Sequence, residues 1–456
     1  TSATAQLCEI MLRDSAHIQM FEAEWRNRKA ARSGGKLKEF VPLYDMDAAV
    51  NVCKQFVGCE YDRVYDIAEG IKIRFTDVGH LLGSASIEVW ATEKTENGDV
   101  TEKIVFSGDI GNINKPIIKD PKHVRDADYV VMESTYGNRS HGGTPNYVED
   151  LTDIFKRTFE RGGNVVIPSF AVGRTQELLY IIRKIKEDNL VGRDFDVYMD
   201  SPLAIEATNI FIKNVESCFD DDAVELVRKG INPLSFPGLK YATTGDESKQ
   251  INFDPNPKVI ISSSGMCEAG RIRHHLKHNL WRPECTIVFV GYQAVGTTGR
   301  IIVDGAEEIK LFGEPIQIKA EIVQLKGSSG HADKDGLLCW INAFDTKPKK
   351  VFVVHGEDSV CDEFTECLKE EYGYDAMAPY TGGSYDLIAD RVISEGVKER
   401  KTRRTTSTQR GKTVFDRLVA AGKRLMTVIT HNEGGTNKDL AKFTDQINAL
   451  CDKWDR

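Results

Sequence analysis

Histidines and carboxylates recur in this chain directly after short apolar runs. FTDVGH ends at His80, IVFSGD ends at Asp109, VVMEST carries Glu133 and VFVVHGE carries His355. VIISSSGM leads into Ser263, and LKGSSGHAD presents His331 from a Gly/Ser turn. Imidazole and carboxylate suit a borderline metal such as zinc. One carboxylate can bridge two ions, and a paired site yields a hydroxide for in-line attack on phosphate. A single histidine is more often structural than a ligand. The repeated placement after an apolar run reverses that expectation for His80, Asp109 and His355.

The elements that must position these groups read as alternating strands and helices. Ile71, Ile73 and Phe75 alternate, as do Ile87 and Val89, which is strand periodicity. Further apolar runs fall at 104–106, 129–132, 165–167, 197–199, 259–261, 287–290 and 351–354. Helical stretches are expected near 147–160, 175–187, 202–216 and 361–371. This is an α/β pattern with buried sheets. In such folds ligands gather beyond the carboxyl ends of strands, where loops hold groups rigidly yet open to substrate.

Before the strands, residues 4–20 read as a helix with Leu7, Ile10, Met11 and Ile18 on one stripe. Arg26 to Lys38 is basic and contains glycine, and reads as an exposed loop. A second helix is expected from Asp45, through Ala49, Val52, Cys53, Phe56 and Val57. Residues 398–412 are basic and polar and are expected to be flexible. Leu440, Phe443, Ile447, Leu450 and Trp454 then form one apolar helix seam, packed on its own domain or serving as a homodimer contact.

Composition narrows the classes. At 456 residues, two or three units are expected, and the core needs no disulfide staples. The 10 cysteines include no C-x-x-C pair, so neither a zinc finger nor a thioredoxin site is indicated. Free thiols and the lack of a signal peptide point to a cytoplasmic protein. No apolar run approaches membrane-spanning length. The net charge of −9 argues against a nonspecific nucleic-acid coat but allows a local basic groove.

GHLLGSASIEV, FSGDIGN, MESTYGNRSH, SGHADKDGL and VVHGED, in this order and rough spacing, resemble the signature motifs of the metallo-β-lactamase fold with a β-CASP insertion. The resemblance is strongest to the cleavage-and-polyadenylation endonuclease type and its bacterial and archaeal relatives. Ribonuclease J is less similar, with an Asp-Ser-Thr-Asn type of sequence where this chain has Glu133-Ser134-Thr135-Tyr136. The implied fold is an α/β metallo-β-lactamase αββα sandwich, N-terminally incomplete, carrying an inserted α/β β-CASP domain. The implied division is 1–138 metallo-β-lactamase, 139–324 β-CASP, 325–390 metallo-β-lactamase return, and 391–456 basic linker and C-terminal helices.

The implied activity is zinc-dependent cleavage of RNA, endonucleolytic and from the 5′ end as well. His80 and His355 would each ligate one of two zinc ions, and Asp109 would bridge them. Glu133 would orient His331, which would act as acid or phosphate stabiliser. DNA-repair members carry Val at the position matching His355, so histidine there favours RNA. Arg174, in GGNVVIPSFAVGRTQELLY, would contact phosphate at a helix start. Ser134 and Tyr136 are further substrate-binding candidates. Ser263, Ser264 and Gly265 are candidates to hold the RNA backbone without reading sequence.

His274, His275 and His278 form H-H-x-x-H without the intervening glutamate of a zincin, among Arg271, Arg273 and Lys277. A basic helix near RNA or a packed face is expected. His17, His123, His141 and His431 show no ligand context.

The family's His-x-His-x-Asp-His motif does not occur in these residues, which keep only three of the expected ligands. Without that motif they are expected to bind metal poorly and to be a weak or inactive nuclease, and adding it back is expected to restore both. It is expected roughly 70 residues into a complete chain, ahead of the first helix, with Thr1 a clipped start. The alternatives are a non-catalytic RNA-binding scaffold subunit of the same fold and a small-molecule hydrolase. The long insert and Arg174 disfavour the latter.

Overall fold

Alternation from Val64 onward builds an antiparallel meander. Strands β1 (Val64–Ala68), β2 (Ile71–Asp77), β3 (Ala85–Thr95) and β4 (Gly98–Phe106) pair in sequence, and β5 (Tyr129–Glu133) joins β4 in parallel. The computed structural model describes residues 1–32, 39–140, 142, 146–325, 329–398, 422, 425–433 and 437–454. The chain forms two compact units, Thr1–Gly396 and Val397–Arg456.

After β5 the chain leaves this sheet and builds a second one. It contains β6 (Val165–Pro168), β7 (Asp196–Asp200), β8 (Leu239–Tyr241), β9 (Lys258–Ser262), β10 (Thr286–Phe289) and β13 (Glu321–Gln324). A small hairpin of β11 (Glu308–Leu311) and β12 (Glu314–Gln317) precedes β13. The order β13-β10-β6-β9-β7-β8 is parallel throughout. β6, β9 and β10 are buried at every position, which is why they read as continuous apolar runs. Alternate residues face two cores: Val165, Ile167 and Ile261 on one side, Val166, Ile260 and Ile287 on the other.

The chain then returns as β14 (Lys350–Val354), in register beside β5, followed by β15 (Ala376–Met377). One face of this seven-stranded sheet, through Val105, Val130, Met132, Val351 and Val353, buries Leu337, Trp340 and Ile341 of helix Lys334–Ile341 and Phe364 and Leu368 of helix Asp358–Glu370. Each large apolar side chain so buried contributes about 1.5–3 kcal/mol. On the other face, Tyr129 and Phe352 meet Tyr385 of a hairpin formed by β16 (Ser384–Asp386) and β17 (Arg391–Ser394).

The helices differ from expectation at their ends. The first runs Ser2–Arg32, so Arg26 to Arg32 is helical rather than loop. Good helix formers continue there, Arg26 and Arg28 pair with Glu22 and Glu24 four residues back, and glycine begins only at Gly34. Its buried positions are Ala3, Leu7, Ala16 and Ala23, while Met11 and Ile18 are exposed. Leu7 and half-buried Ile10 pack on the core as the stripe predicts, but beyond them the small Ala16 and Ala23 take the buried positions in place of Met11 and Ile18. The second helix is Met46–Cys53, capped by the Asp45 side chain, and leaves Phe56 and Val57 exposed beyond it. In the second unit Asn437–Trp454 is helical, with Leu440, Phe443 and Ile447 half-buried and Leu450 exposed. Apart from Lys398, the basic stretch 398–412 lies outside the described residues, as does His141.

Candidate metal centre

Each donor sits within a few residues of a strand end or turn that fixes it. β2 ends at Asp77, whose Oδ1 accepts from Gly79 N, and the left-handed Gly79 (φ +63°) turns the chain into His80. Left-handed Gly108 (φ +62°) does the same between β4 and Asp109. Glu133 is the last residue of β5, and His355 follows β14 directly.

The segment Ile110–Asn112 is threaded between the two histidine loops. Gly111 N donates to Val78 O at 2.8 Å, Asn112 N to Gly330 O at 3.1 Å, and Ala332 N to Ile110 O at 2.7 Å. A Cβ on Gly111 would lie 2.0 Å from Gly79 O, so only glycine allows this approach.

The two oxygens of Asp109 face different histidines. Oδ2 is 3.8 Å from His80 Nε2 and Oδ1 is 3.4 Å from His355 Nδ1. His80 Nδ1 faces Gly330 O at 3.2 Å, and a carbonyl can only accept, so Nδ1 carries the proton. Nε2 therefore turns a lone pair toward a carboxylate oxygen, and two lone pairs facing each other call for a cation between them. Burial, then His331 and Lys115, push the His80 pKa down to about 4, so the ring is the neutral form a metal binds. Ligands about 2.0–2.2 Å from one tetrahedral ion stand roughly 3.3–3.5 Å apart, close to both separations. The donor set thus fits a metal ion, and the backbone bond to His80 is the orienting contact such ligands carry. Two groups have mutually close donor atoms: His80, Asp109 and His331, and Asp109, Glu133 and His355.

Glu133 is 2% exposed. Its oxygens lie 3.2 and 3.1 Å from His331 Nδ1, accept from Ile110 N, and accept from Thr135 Oγ1 at 2.6 Å. Burial opposes its charge, but His331, Thr135 and Ile110 outweigh burial and hold the carboxyl below its usual range. For His331 burial opposes protonation, yet Glu133 wins and raises the pKa. Its ring is 4.4 Å from that of His80 and 5.9 Å from that of His355, centroid to centroid.

His80 and His331 open onto a cleft of about 780 Å³, lined also by Tyr136 and Arg174 among others. The edge of Tyr136 meets His331, and Arg139 stacks on its ring. Arg174 is paired with Glu177.

The other substrate-binding candidates lie away from the cleft lining. Ser134 is wholly buried, its hydroxyl donating to Val354 O at 3.0 Å, so it fastens β5 to β14. Ser263, Ser264 and Gly265 do not line the cleft. Half-exposed Ser263 and Ser264 donate through Oγ to Ser201 Oγ and Ala269 O respectively, and Gly265 packs against the Phe170 ring. In the H-H-x-x-H helix, fully buried His275 bonds Asp200 and Asn252, and His274 stacks on Phe312, which is the packed-face reading. Thr135, Lys115, Phe170 and Tyr292 reach the cleft without having been singled out. Only Thr135, adjacent to Glu133 in a polar cluster, left a sequence signal.

Residues 175–302 match the Beta-Casp domain, and residues 315–379 match the Zn-dependent metallo-hydrolase RNA specificity domain. Ribonuclease TTHA0252 of Thermus thermophilus is 35% identical over 288 residues, covering 63% of each chain. Transcription termination factor FttA of Methanosarcina mazei is 32% identical over 359 residues, 76% of this chain and 54% of that protein. The RNase J-like protein of Methanocaldococcus jannaschii is 35% identical over 295 residues, 64% of this chain and 65% of that protein. The chain thus spans between about half and two thirds of the length of these relatives. Among the described residues no helix is long and apolar enough to cross a membrane. With one sheet inserted between two neighbouring strands of a mixed sheet, donors gathered at the ends of the latter's strands, and matches to the Beta-Casp domain and to the Zn-dependent metallo-hydrolase RNA specificity domain, the chain is similar in sequence and architecture to the metallo-β-lactamase/β-CASP proteins.

Proposed function

We propose that this chain carries much of the catalytic body of a zinc-dependent RNA phosphodiesterase, an endoribonuclease with 5′-3′ exonuclease action as a second mode. The observation that carries the reading is the pair of Asp109 oxygens turned toward His80 and His355. His80, Asp109 and His355 would hold the metal, with Asp109 shared between two zinc ions. When bound, such ions supply a hydroxide at neutral pH and polarise the phosphate. All three ligands are nitrogen or oxygen donors, which favours zinc over magnesium given two imidazoles. The relatives named as ribonucleases support RNA as the substrate.

The protein's own groups do the rest. Glu133 is acceptor-only when ionised, so it fixes the proton of His331 on Nδ1 and holds the ring. The Nε2 proton of the cationic ring would pass to the leaving 3′-oxygen or stay to neutralise the phosphate. His331 also stands near His80 and Asp109 as a ligand candidate. Its bond to Glu133 and its raised pKa favour the acid role, because a ligand ring must be neutral.

We assign 139–324 to the β-CASP part, with 1–138 and 325–390 as the metallo-β-lactamase part. The free cysteines suit a reducing cytoplasm, and half-buried Leu440, Phe443 and Ile447 support a homodimer contact through the C-terminal helix. The deciding experiment is zinc analysis of the chain joined to a segment that carries the His-x-His-x-Asp-His motif, together with cleavage of a labelled single-stranded RNA. Zinc-dependent cleavage is expected; a zinc-loaded protein that binds RNA without cutting it would leave the scaffold reading in its place.

A further inference from the structure

Lys115 belongs to none of the chemistry assigned above. It lies six residues beyond Asp109, on the loop that follows β4. Its Nζ is 3.0 Å from His80 O and 3.1 Å from Glu177 Oε1. Glu177 comes from the inserted domain, on helix Arg174–Glu187, and its other oxygen pairs with Arg174. Lys115 is 11% exposed and Arg174 15% exposed, and both line the cleft beside His80 and His331.

The charges do not cancel. Within this trio two cations share one buried carboxylate, a local excess of one positive charge on this side of the cleft, and Arg174 makes a further contact besides. Burial opposes ionisation of Glu177, but Arg174 and Lys115 outweigh it and keep the carboxyl charged. A poorly hydrated surplus charge attracts a polyanion more strongly than an exposed one. Lysine offers a compact charge and arginine a planar fork, and both suit phosphate oxygens. The same cleft exposes the rings of Phe170 and Tyr292, which are 43% and 54% exposed and can stack unpaired bases.

We propose that Lys115 and Arg174 form a two-sided phosphate clamp, one cation from each large sheet's domain, held at fixed spacing by Glu177. It grips the backbone of a single-stranded nucleic acid beside the metal donors. The proposal rests on the RNA-cleaving reading for the identity of the polyanion, but the grip itself needs no metal. Because Lys115 also holds the His80 carbonyl, the clamp ties the inserted domain to the donor loop.

The test is the affinity of the full chain for a fluorescein-labelled oligouridylate, by anisotropy in chelator, across a range of KCl. Each phosphate contact to a single strand contributes about 0.7 to the slope of log affinity on log salt. Lys115→Met and Arg174→Met should each lower the slope by about that amount and weaken binding several-fold, and Lys115→Arg should restore the slope. If Lys115→Met fails to fold, judged by its thermal midpoint, Lys115→Gln takes its place. Unchanged slope and affinity in the neutral variants would overturn the clamp and leave Lys115 a structural tie. Salt-independent binding by the parent chain would do the same. Cleavage with added zinc is read separately, on the chain joined to the motif-bearing segment: Lys115-dependent binding without cleavage removes the nuclease reading and keeps the clamp. Cleavage with Lys115-independent binding removes the clamp alone.

Discussion

His331 and Glu133 are 198 residues apart in sequence, yet Nδ1 of the histidine spans both carboxylate oxygens at 3.1 and 3.2 Å. Each stabilises the charged form of the other. On the proposed reading the pair is a fixed proton reservoir, with the ring's other nitrogen left to meet substrate. Replacing His331 by Ala should slow RNA cleavage by about 100-fold or more while the zinc content stays at the parent level. Elemental analysis beside single-turnover rates decides it. A variant that has lost its zinc makes His331 a ligand instead.

Asp109→Ala removes the oxygen facing each of two histidines. Cleavage should be abolished and zinc content should fall, with thermal stability in chelator nearly unchanged because the side chain is 41% exposed. Zinc retained at full stoichiometry would show that the bridge is not Asp109.

Gly111→Ala tests the threading of the loops. The added methyl would meet Gly79 O at 2.0 Å and His80 N at 2.7 Å, both backbone atoms. Overpacking of this kind costs about 1–3 kcal/mol, and relief must move His80 away from Asp109. A lower melting point in chelator and weaker zinc binding should therefore appear together. Weakening of only one of them would mean that the loop relaxes elsewhere.

Asp77 supplies a pH signature. Burial pushes its pKa up to about 6, against the Gly79 N–H, Lys119 and Lys122, which favour its charge, while Asp62 reinforces the rise. Tyr61 and Cys218 also sense its charge. Between its ordinary value, about 4, and 6 the folded state holds a proton that the unfolded chain has released. This group's contribution to stability therefore falls as pH rises through that window. Asp77→Asn should match the parent near pH 4 and exceed it by roughly 2–3 kcal/mol at pH 7.5, measured by urea unfolding. A gap that does not grow with pH contradicts the burial of a charge.

The strands and the donors were legible because both are written locally. A strand buried on both faces, such as Val165–Pro168, must be an unbroken apolar run, and the candidate donors His80, Asp109, Glu133 and His355 lie within three residues of the ends of β2, β4, β5 and β14. What could not be read depends on partners far off in sequence. Ser134 looks like a cleft residue until Val354, 220 residues later, takes its hydroxyl. Ser263 is claimed by Ser201, and Lys115 by Glu177. None of these pairings leaves a periodic trace. The first helix misled beyond Ile10 for another reason: there the buried positions are Ala16 and Ala23, which hydrophobicity alone does not single out.

Asp109 draws its neighbours from positions 80 and 355. On a ribosome adding about 5–20 residues each second, tens of seconds separate the emergence of those two rings. Throughout that interval the nascent polypeptide lacks the last donor and holds a half-built pocket. On the proposed reading, RNA cleavage would therefore await translation of nearly the whole core.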